Sequence, residues 1–547
     1  MPPRYSREIT RPVVLGAQLK EQFRTSPCET SCPIGNSIQK MNSLIEKGQF
    51  TEALRYLRAK NPFPGITGRV CPHFCMDACN RKEMDGCLNI RALERAAETF
   101  AERGHVFFKR RPATGKKAAV IGGGPAGLTA AYFLALLGHE VTIYEAEPLL
   151  GGVPRYGVPN FRLPRDVVDR EVGLVLEAGV RACVNTRVGV DITMEEISAR
   201  YDAVIVATGV PAENSLPIPG AEKAVKAVEF LRAAALGQNT GKIGKNVVIM
   251  GGGGVAFDCA FTARRLGAEN VHVICLEKAG EMRAPAEDLE LAAKEGVHVH
   301  NSCTMSAIRT EGDKVTGVDY FEVKDCHFDE KGKLTLEAVP GGEHVLECDT
   351  VIFAVGMKTD LAFLGENAGG LELTPRNWIK VDESQHTSKA GVFAAGDVSA
   401  GPASIARAVG DGRRAAFAVH QMLTGTSSRS ATSPHRAYCT RREMVFRNSS
   451  RKSSRARIRT EEVNRISFIV FHPLSPKWRT APQCHSLSGR FFPPWRSSAG
   501  PARRSYPKRS RFPPQWRPPG PRRGNTAWPG GLPRGGRPPC PPDGRAW

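Results

Sequence analysis

The chain has 547 residues and a formal net charge of +21, from 76 Lys and Arg against 55 Asp and Glu. The excess is local: residues 1–426 hold 50 basic and 51 acidic residues, whereas residues 427–547 hold 26 and 4. A neutral body of that size has room for about two to three domains, and no apolar run approaches the roughly 18 residues that a membrane-spanning helix needs. The N-terminus (MPPRYSREITRPVVLG) lacks the apolar core of a secretory signal, so a cytoplasmic setting is expected.

The first feature in chain order is a group of cysteines. Of 15 cysteines, six lie between residues 28 and 87. Cys28-x3-Cys32-Pro and Cys71-Pro-x2-Cys75-x3-Cys79 have ligand-like spacing, with Cys87 following. Between them, Ile38 to Ala59 reads as two short amphipathic helices. A cytoplasmic protein argues against disulfides. Zinc sites favour paired short spacings, whereas Cys-Pro recurs beside iron–sulfur clusters, so iron–sulfur, a purely structural role and zinc stand in that order.

The run Lys117 to Ile121 (KAAVI) then reads as a buried parallel strand. It leads into Gly122-Gly-Gly-Pro125-Ala126-Gly127. In this pattern Gly122 permits a tight turn, Gly124 lets backbone approach a pyrophosphate and Gly127 packs helix on strand. A helix is expected over Leu128 to Leu137, its N-terminus offering unpaired N–H groups to phosphate. A strand over Val141 to Tyr144 ends in Glu145, a carboxylate suited to a ribose hydroxyl pair.

The pattern repeats about 130 residues on. A strand over Val247 to Met250 precedes Gly251-Gly-Gly253-Gly254-Val255-Ala256. A helix over Phe257 to Leu266 and a strand over Val271 to Leu276, ending in Glu277, follow. An acidic residue there favours an unphosphorylated ribose, hence NADH, although Lys278 follows directly. With the later Ala394-Ala-Gly396-Asp397, two such fingerprints point to a flavin and a nicotinamide on one polypeptide. Neither fingerprint region carries a close cysteine pair that could take electrons to a disulfide substrate, so the N-terminal cysteines are the expected exit.

Residues 427–547 hold 19 of the 40 prolines and five of the six tryptophans, without helical or strand periodicity. Such a segment is expected to be disordered. A shifted reading frame accounts best for the abrupt change near Thr424-Gly-Thr426. A nucleic-acid-binding arm, or an arm for an anionic surface or partner protein, would account for it less well.

Taken together, the motifs of residues 1–425 resemble the glutamate synthase small-subunit family, which includes the corresponding half of dihydropyrimidine dehydrogenase. The matching segments are Asn61-Pro-Phe-Pro, Gly68-Arg-Val-Cys-Pro72, Leu93-Glu-Arg95, Gly122–Gly127, Gly157-Val-Pro-Asn-Phe-Arg-Leu-Pro164, Ala207-Thr208-Gly209, Gly251–Asp258 and Gly391-Val-Phe-Ala-Ala-Gly-Asp397.

The resemblance implies an α/β chain with an N-terminal α-helical iron–sulfur domain followed by two Rossmann-like domains, the NAD(P)H domain inserted in the FAD domain. The expected boundaries are 1–112 for the iron–sulfur domain, 113–240 and 351–426 for the two parts of the FAD domain, 241–350 for the NAD(P)H domain, and 427–547 for the tail. Carried over by position, Gly122, Gly124, Pro125, Ala126, Gly127, Glu145, Gly152, Arg162, Ala207, Thr208, Gly209, Gly396 and Asp397 hold FAD. Gly251, Gly253, Gly254, Val255, Ala256, Glu277, Ala354, Val355 and Gly356 hold the nicotinamide cofactor. Relatives often carry arginines for NADPH after the second dinucleotide strand; Cys275-Leu-Glu-Lys278 stands there and adds to the NADH preference.

Cys32, Cys71 and Cys75 match one cluster's ligands, and Glu94 falls at its non-cysteine ligand. Cys28 and Cys79 match half of a second set. The upstream cysteine pair of two-cluster members is replaced by Glu21-Gln-Phe-Arg-Thr-Ser26, so one [4Fe–4S] cluster is expected, with Cys79 or Glu94 as fourth ligand. The implied activity passes a hydride from NAD(P)H to FAD and single electrons through the cluster to a partner subunit or ferredoxin-type protein. No side chain is nominated as catalytic, and His73 and His139 are expected to be surface or core residues. The competing classes are a cluster-free diaphorase and a basic nucleic-acid-interacting protein with a degenerate reductase body.

Overall fold

The computed structural model of the chain describes residues 25–102, 108–238, 243–328 and 334–426. The expectations for residues 427–547 and for most of Glu21–Ser26 lie outside these. No helix among the described residues is long and apolar enough to cross a membrane.

The N-terminal region is built from helices α1 (Pro27–Thr30), α2 (Ile38–Glu46), α3 (Phe50–Arg58), α4 (Pro64–Val70), α5 (Phe74–Asp77) and α6 (Ile90–Phe100). Helical spacing of apolar residues puts Ile38, Met41 and Leu44 of α2 against Ala53 and Leu57 of α3 and Ile90 and Ala97 of α6. Asn89 caps α6, its Oδ1 accepting from the Ala92 amide at 3.1 Å. Helix α4 lies almost on the backbone of α6: a Cβ on Gly68 would sit 2.7 Å from the Arg95 nitrogen, so only glycine fits. The two helices expected over 38–59 are α2 and α3.

The next stretch runs through β1 (Lys117–Ile121), α7 (Pro125–Leu136), β2 (Glu140–Tyr144), α8 (Val153–Tyr156), α9 (Arg165–Glu177), β3 (Arg181–Cys183), α10 (Met194–Arg200) and β4 (Ala203–Val206). The chain then passes through β5 (Ala212–Glu213), β6 (Val225–Lys226), α11 (Ala227–Ala235), β7 (Asn246–Met250), α12 (Gly254–Arg265), β8 (Asn270–Ile274), α13 (Ala286–Lys294) and β9 (Val297–His300). Long strands β10 (Cys303–Glu311), β11 (Lys314–Phe328) and β12 (Leu334–Glu347) precede β13 (Thr350–Phe353), β14 (Met357–Lys358), β15 (Val392–Ala394), α14 (Asp397–Ala400) and α15 (Ile405–Thr424).

Ten of these strands form two separate parallel sheets. The first has the order β15-β4-β1-β2-β3 and the second β6-β13-β7-β8-β9. The chain leaves the first sheet after β4, forms the second with a separate antiparallel meander β10-β11-β12 before its strand β13, and returns as β15. One Rossmann-like unit is thus inserted in the other, with β5 and β14 paired antiparallel at the crossing. Both faces of each sheet are covered, so the central strands are apolar throughout. Helix α7 is buried from Ala126 to Ala135, between β1 and α15.

The expected strands at 117–121, 141–144 and 247–250 are in place within one residue. Both fingerprint helices begin three residues earlier than expected, at Pro125 and Gly254. Proline at the first helical position suits an end whose N–H would be unpaired anyway, and Gly253 and Gly124 serve as N-caps. The strand expected to run to Leu276 ends at Ile274, so Glu277 stands in the following loop.

His139 is a core residue, fully buried, with Nε2 2.8 Å from His420 Nδ1 and Nδ1 2.8 Å from Thr114 Oγ1. Burial holds it down to about 4, with His420 and Arg110 adding, so it is neutral at physiological pH.

Candidate functional site

At the C-terminal end of β1, Gly122 has φ +106°, and a Cβ there would lie 2.4 Å from the Ala207 carbonyl oxygen. Strand β4, paired with β1, therefore lays Ala207-Thr208-Gly209 directly on the glycine loop. The Thr208 hydroxyl beside it is buried and has no hydrogen-bond partner among the described residues. Gly124 offers no side chain to cap α7, leaving the first-turn N–H groups open to an anion. Gly152 and Gly396 close on the same turn: their Cβ positions fall 2.7 Å from Gly124 Cα and 2.9 Å from Ala126 Cβ.

Glu145 follows β2 and turns over the loop, with Oε2 accepting from the Gly123 amide at 2.6 Å and Oε1 from the Glu147 amide at 2.9 Å. Burial raises its carboxyl, against those two amides. Asp397 opens α14 behind the loop. Burial pushes it up to about 6 and Asp411 adds to the rise, while the Ala403 amide and Arg407 oppose.

The second loop repeats the construction. Gly251 has φ +138°, and a Cβ would lie 2.4 Å from the Ala354 carbonyl oxygen at the end of β13. Ala354-Val355-Gly356 thus stands to Gly251 as Ala207-Thr208-Gly209 stands to Gly122. Gly253 caps α12 and has open space around its Cβ position, and Gly254, Val255 and Ala256 form the first turn. Glu277 folds over this loop as Glu145 does over the first: its Oε2 would be 2.3 Å from a Cβ on Gly252. Both loops fit the pyrophosphate of a dinucleotide, because each combines an uncapped helix end with a backbone approach that side chains would block.

Arg162 lies between the two units. Its Nε is 2.5 Å from Asp258 Oδ1 on α12, and Nη1 donates to Asp288 Oδ1 on α13 at 2.7 Å. Burial, with Asp288 nearby, pushes Asp258 up to about 7 against the pull of Arg162. Arg91 of α6 grips the preceding Glu287 with two 2.8 Å bonds. Two arginines from different regions therefore hold the first turn of α13.

The cysteines separate into two sets. Cys32 lies in the loop after α1, Cys71 caps the C-terminus of α4 and Cys75 is on α5. The Ile34, Gly35 and Asn36 amides face the Cys32 sulfur. Burial raises all three thiols, Cys71 and Cys75 to about 12, and their mutual repulsion and that of Glu94 add to it. Cys28 lies on α1, its Sγ 3.1 Å from Ser26 Oγ, and Cys79 follows α5. Every cysteine among the described residues is free of disulfides.

Glu94 is held by partners that sequence reasoning missed. Its Oε1 receives Thr67 Oγ1 at 2.7 Å, Asn61 Nδ2 at 2.9 Å and Asn36 Nδ2 at 3.2 Å, while Oε2 receives none among the described residues. Burial lifts its carboxyl to about 7 despite these donors. The only sequence signal was Asn61 in the Asn-Pro-Phe-Pro segment. No three such side chains among the described residues close on one point, as a single ion requires. Cys75 is buried and Cys32 and Cys71 are half-buried, and Glu94 is near enough to raise all three thiols; such a donor set fits a cluster, which would bind the thiols as anions.

Comparison with known proteins agrees with this construction. Residues 116–412 match the pyridine nucleotide-disulphide oxidoreductase family, and residues 18–105 match dihydropyrimidine dehydrogenase domain II, 4Fe-4S cluster. The chain is 38% identical over 435 residues to the NADP(+)-dependent formate dehydrogenase subunit beta of Moorella thermoacetica, covering 74% of this chain and 61% of that one. It is 35% identical over 434 residues to the glutamate synthase [NADPH] small chain of Mycobacterium tuberculosis, covering 73% and 86%. It is 34% identical over 433 residues to the NAD-dependent dihydropyrimidine dehydrogenase subunit PreT of Escherichia coli, covering 78% and 98%. The chain thus spans about three-fifths of the formate dehydrogenase subunit's length.

Proposed function

The chain belongs to the pyridine nucleotide-disulphide oxidoreductase family and carries the 4Fe-4S domain of dihydropyrimidine dehydrogenase, and from that premise we propose that it is the electron-input subunit of a larger oxidoreductase. The observation that carries the reading is the pair of equivalent glycine loops joined in one fold to the Cys32, Cys71, Cys75 and Glu94 set.

When bound, FAD takes a hydride from NAD(P)H and releases electrons singly to a [4Fe–4S] cluster and on to a partner protein. The loop at Gly122, Gly124 and Gly127 positions the flavin pyrophosphate, Glu145 accepts from its ribose, and Gly396 and Asp397 close the far side. In this reading the flavin belongs to residues 113–240 and 351–426 and the nicotinamide to 241–350. There Gly251, Gly253 and the α12 N-terminus hold the pyrophosphate, and Glu277 accepts from the ribose hydroxyls. The carboxylate of Glu277 supports NADH, since it would repel a 2′-phosphate. Arg162 fixes the two units against each other through Asp258 and Asp288. Cys32, Cys71, Cys75 and Glu94 hold the cluster, Oε1 of Glu94 being anchored and Oε2 left for iron. Glutamate synthesis is one use of such a subunit, and the partner sets which one applies.

Exchange of Cys71 for serine separates the two halves of the proposal. Cys71→Ser is expected to lose most of its iron and the electron paramagnetic signal of the reduced cluster, yet to keep flavin that NADH bleaches. Iron content equal to wild type would remove Cys71 from the ligand set. Loss of the flavin as well would show that the cysteines serve the fold.

A further inference from the structure

Helix α15 touches both the flavin loop and the cysteine site. A Cβ on Gly412 would lie 2.1 Å from the Ala126 carbonyl oxygen, and one on Gly410 would lie 2.4 Å from the Pro33 carbonyl oxygen. The backbone of this helix therefore packs directly on the first turn of α7 and on the residue after Cys32. Nothing larger than hydrogen fits at either contact.

Two cations are carried to the same place. Arg413 follows Gly412 on α15 and is part-buried; Arg414, next to it, is paired with Asp411, whereas no carboxylate among the described residues pairs with Arg413. Lys60, after α3, donates from Nζ to the Gly35 carbonyl oxygen at 2.6 Å, and the Gly35 amide in turn bonds the Cys32 carbonyl oxygen at 2.8 Å. Lys60 is likewise without an ion-pair partner among the described residues. Burial lowers both groups; the Cys32 thiolate opposes that fall at each, and at Lys60 the Glu29 carboxylate opposes it more strongly. Part-buried cations without carboxylates are costly unless another negative charge compensates them. The negative charge that both of them face is the Cys32 thiolate site.

We propose that Lys60 and Arg413 are the residues that set the reduction potential of the iron–sulfur site, by placing beside the Cys32 ligand two positive charges that no close ion pair neutralises. The inference rests on the cluster assigned above. Three thiolates and one carboxylate outweigh the positive core, and one-electron reduction by the flavin adds a further negative charge without making or breaking a bond. Nearby cations favour the reduced form, so they draw electrons from the flavin toward Cys32. Lys60 and Arg413 are positioning charges and touch no reacting atom.

The test is a redox titration of the full, cluster-loaded chain followed by electron paramagnetic resonance, for wild type, Lys60→Met, Arg413→Gln and the double variant. At a fixed ambient potential the double variant is expected to show at least a tenfold lower ratio of reduced to oxidised cluster, about 59 mV for one electron. Each single variant should fall between, and the charge-preserving Lys60→Arg and Arg413→Lys should stay near wild type. An unchanged midpoint in an iron-replete double variant would overturn the inference while leaving the cluster intact. Should the double variant not fold, an unchanged midpoint in both iron-replete single variants would overturn it equally. Absence of any cluster signal in wild type would instead overturn the functional reading beneath it.

Discussion

Gly253→Ala is expected to fold as wild type and to raise the KM for the nicotinamide cofactor at least tenfold, whereas Gly127→Val is expected to lose the flavin. The two glycines occupy the same kind of loop but meet different neighbours. Gly253 has an extended backbone and open space around its Cβ position, so a methyl group meets nothing until a pyrophosphate approaches. One blocked approach at an uncapped helix end is worth about 1.4 kcal/mol or more, which is the tenfold change. At Gly127 the Cβ position lies 2.0 Å from the Gly122 carbonyl oxygen, and helix α7 is buried along nearly its whole length. An overpacked core costs about 1–3 kcal/mol where side chains yield; here the obstacle is backbone and the cost is larger. Steady-state kinetics with NADH and NADPH, flavin content per chain and thermal denaturation measure all three effects. Equal KM values for Gly253→Ala and wild type would remove the second loop from cofactor binding.

The largest loss of stability is expected from Glu171→Ala. The Glu171 side chain is fully buried on α9, and its Oε1 and Oε2 accept from the Gly65 and Ile66 amides at 2.7 and 2.9 Å. Those are first-turn N–H groups of α4, so one carboxyl from the first Rossmann-like unit caps a helix of the cysteine region. Its removal leaves two buried donors unpaired and a cavity, about 2–5 kcal/mol in sum. Burial pushes Glu171 up to about 8, against Arg58 and the two amides. A carboxyl raised in the folded state contributes fully below its unfolded value and loses that contribution as pH climbs through the folded one. Wild type should therefore lose ground to Glu171→Gln, which cannot ionise, between pH values of about 5 and 9. Melting temperatures at both ends of that range test the sign, and a difference independent of pH would contradict it.

The glycine loops were legible because their function demands short, local patterns. Apolar runs such as Lys117–Ile121 fix the strands, and the glycine spacing fixes the turn between strand and helix. The helix starts were less legible, since Pro125 and Gly254 are weak helix formers except at a first turn. Cys28, Cys32, Cys71, Cys75 and Cys79 were visible as a group, yet spacing could not say that Glu94 would be held near Cys32, Cys71 and Cys75 by Asn36, Asn61 and Thr67. Long-range partners were the least legible. Asn36 and Glu94 are 58 residues apart, Gly65 and Glu171 are 106 apart, and Arg91 and Glu287 are 196 apart. Such pairs depend on how separate elements dock, which no local period encodes. The ion pairs of Arg162 with Asp258 and Asp288 were hidden for the same reason.

The most direct measurement is an anaerobic absorption titration of the full chain with NADH, after loading with FAD, iron and sulfide. The expected result is a flavin band that NADH bleaches, over a broad iron–sulfur absorbance that falls as electrons move on. A chain that binds no flavin, or whose flavin NADH and NADPH both leave oxidised, would contradict it.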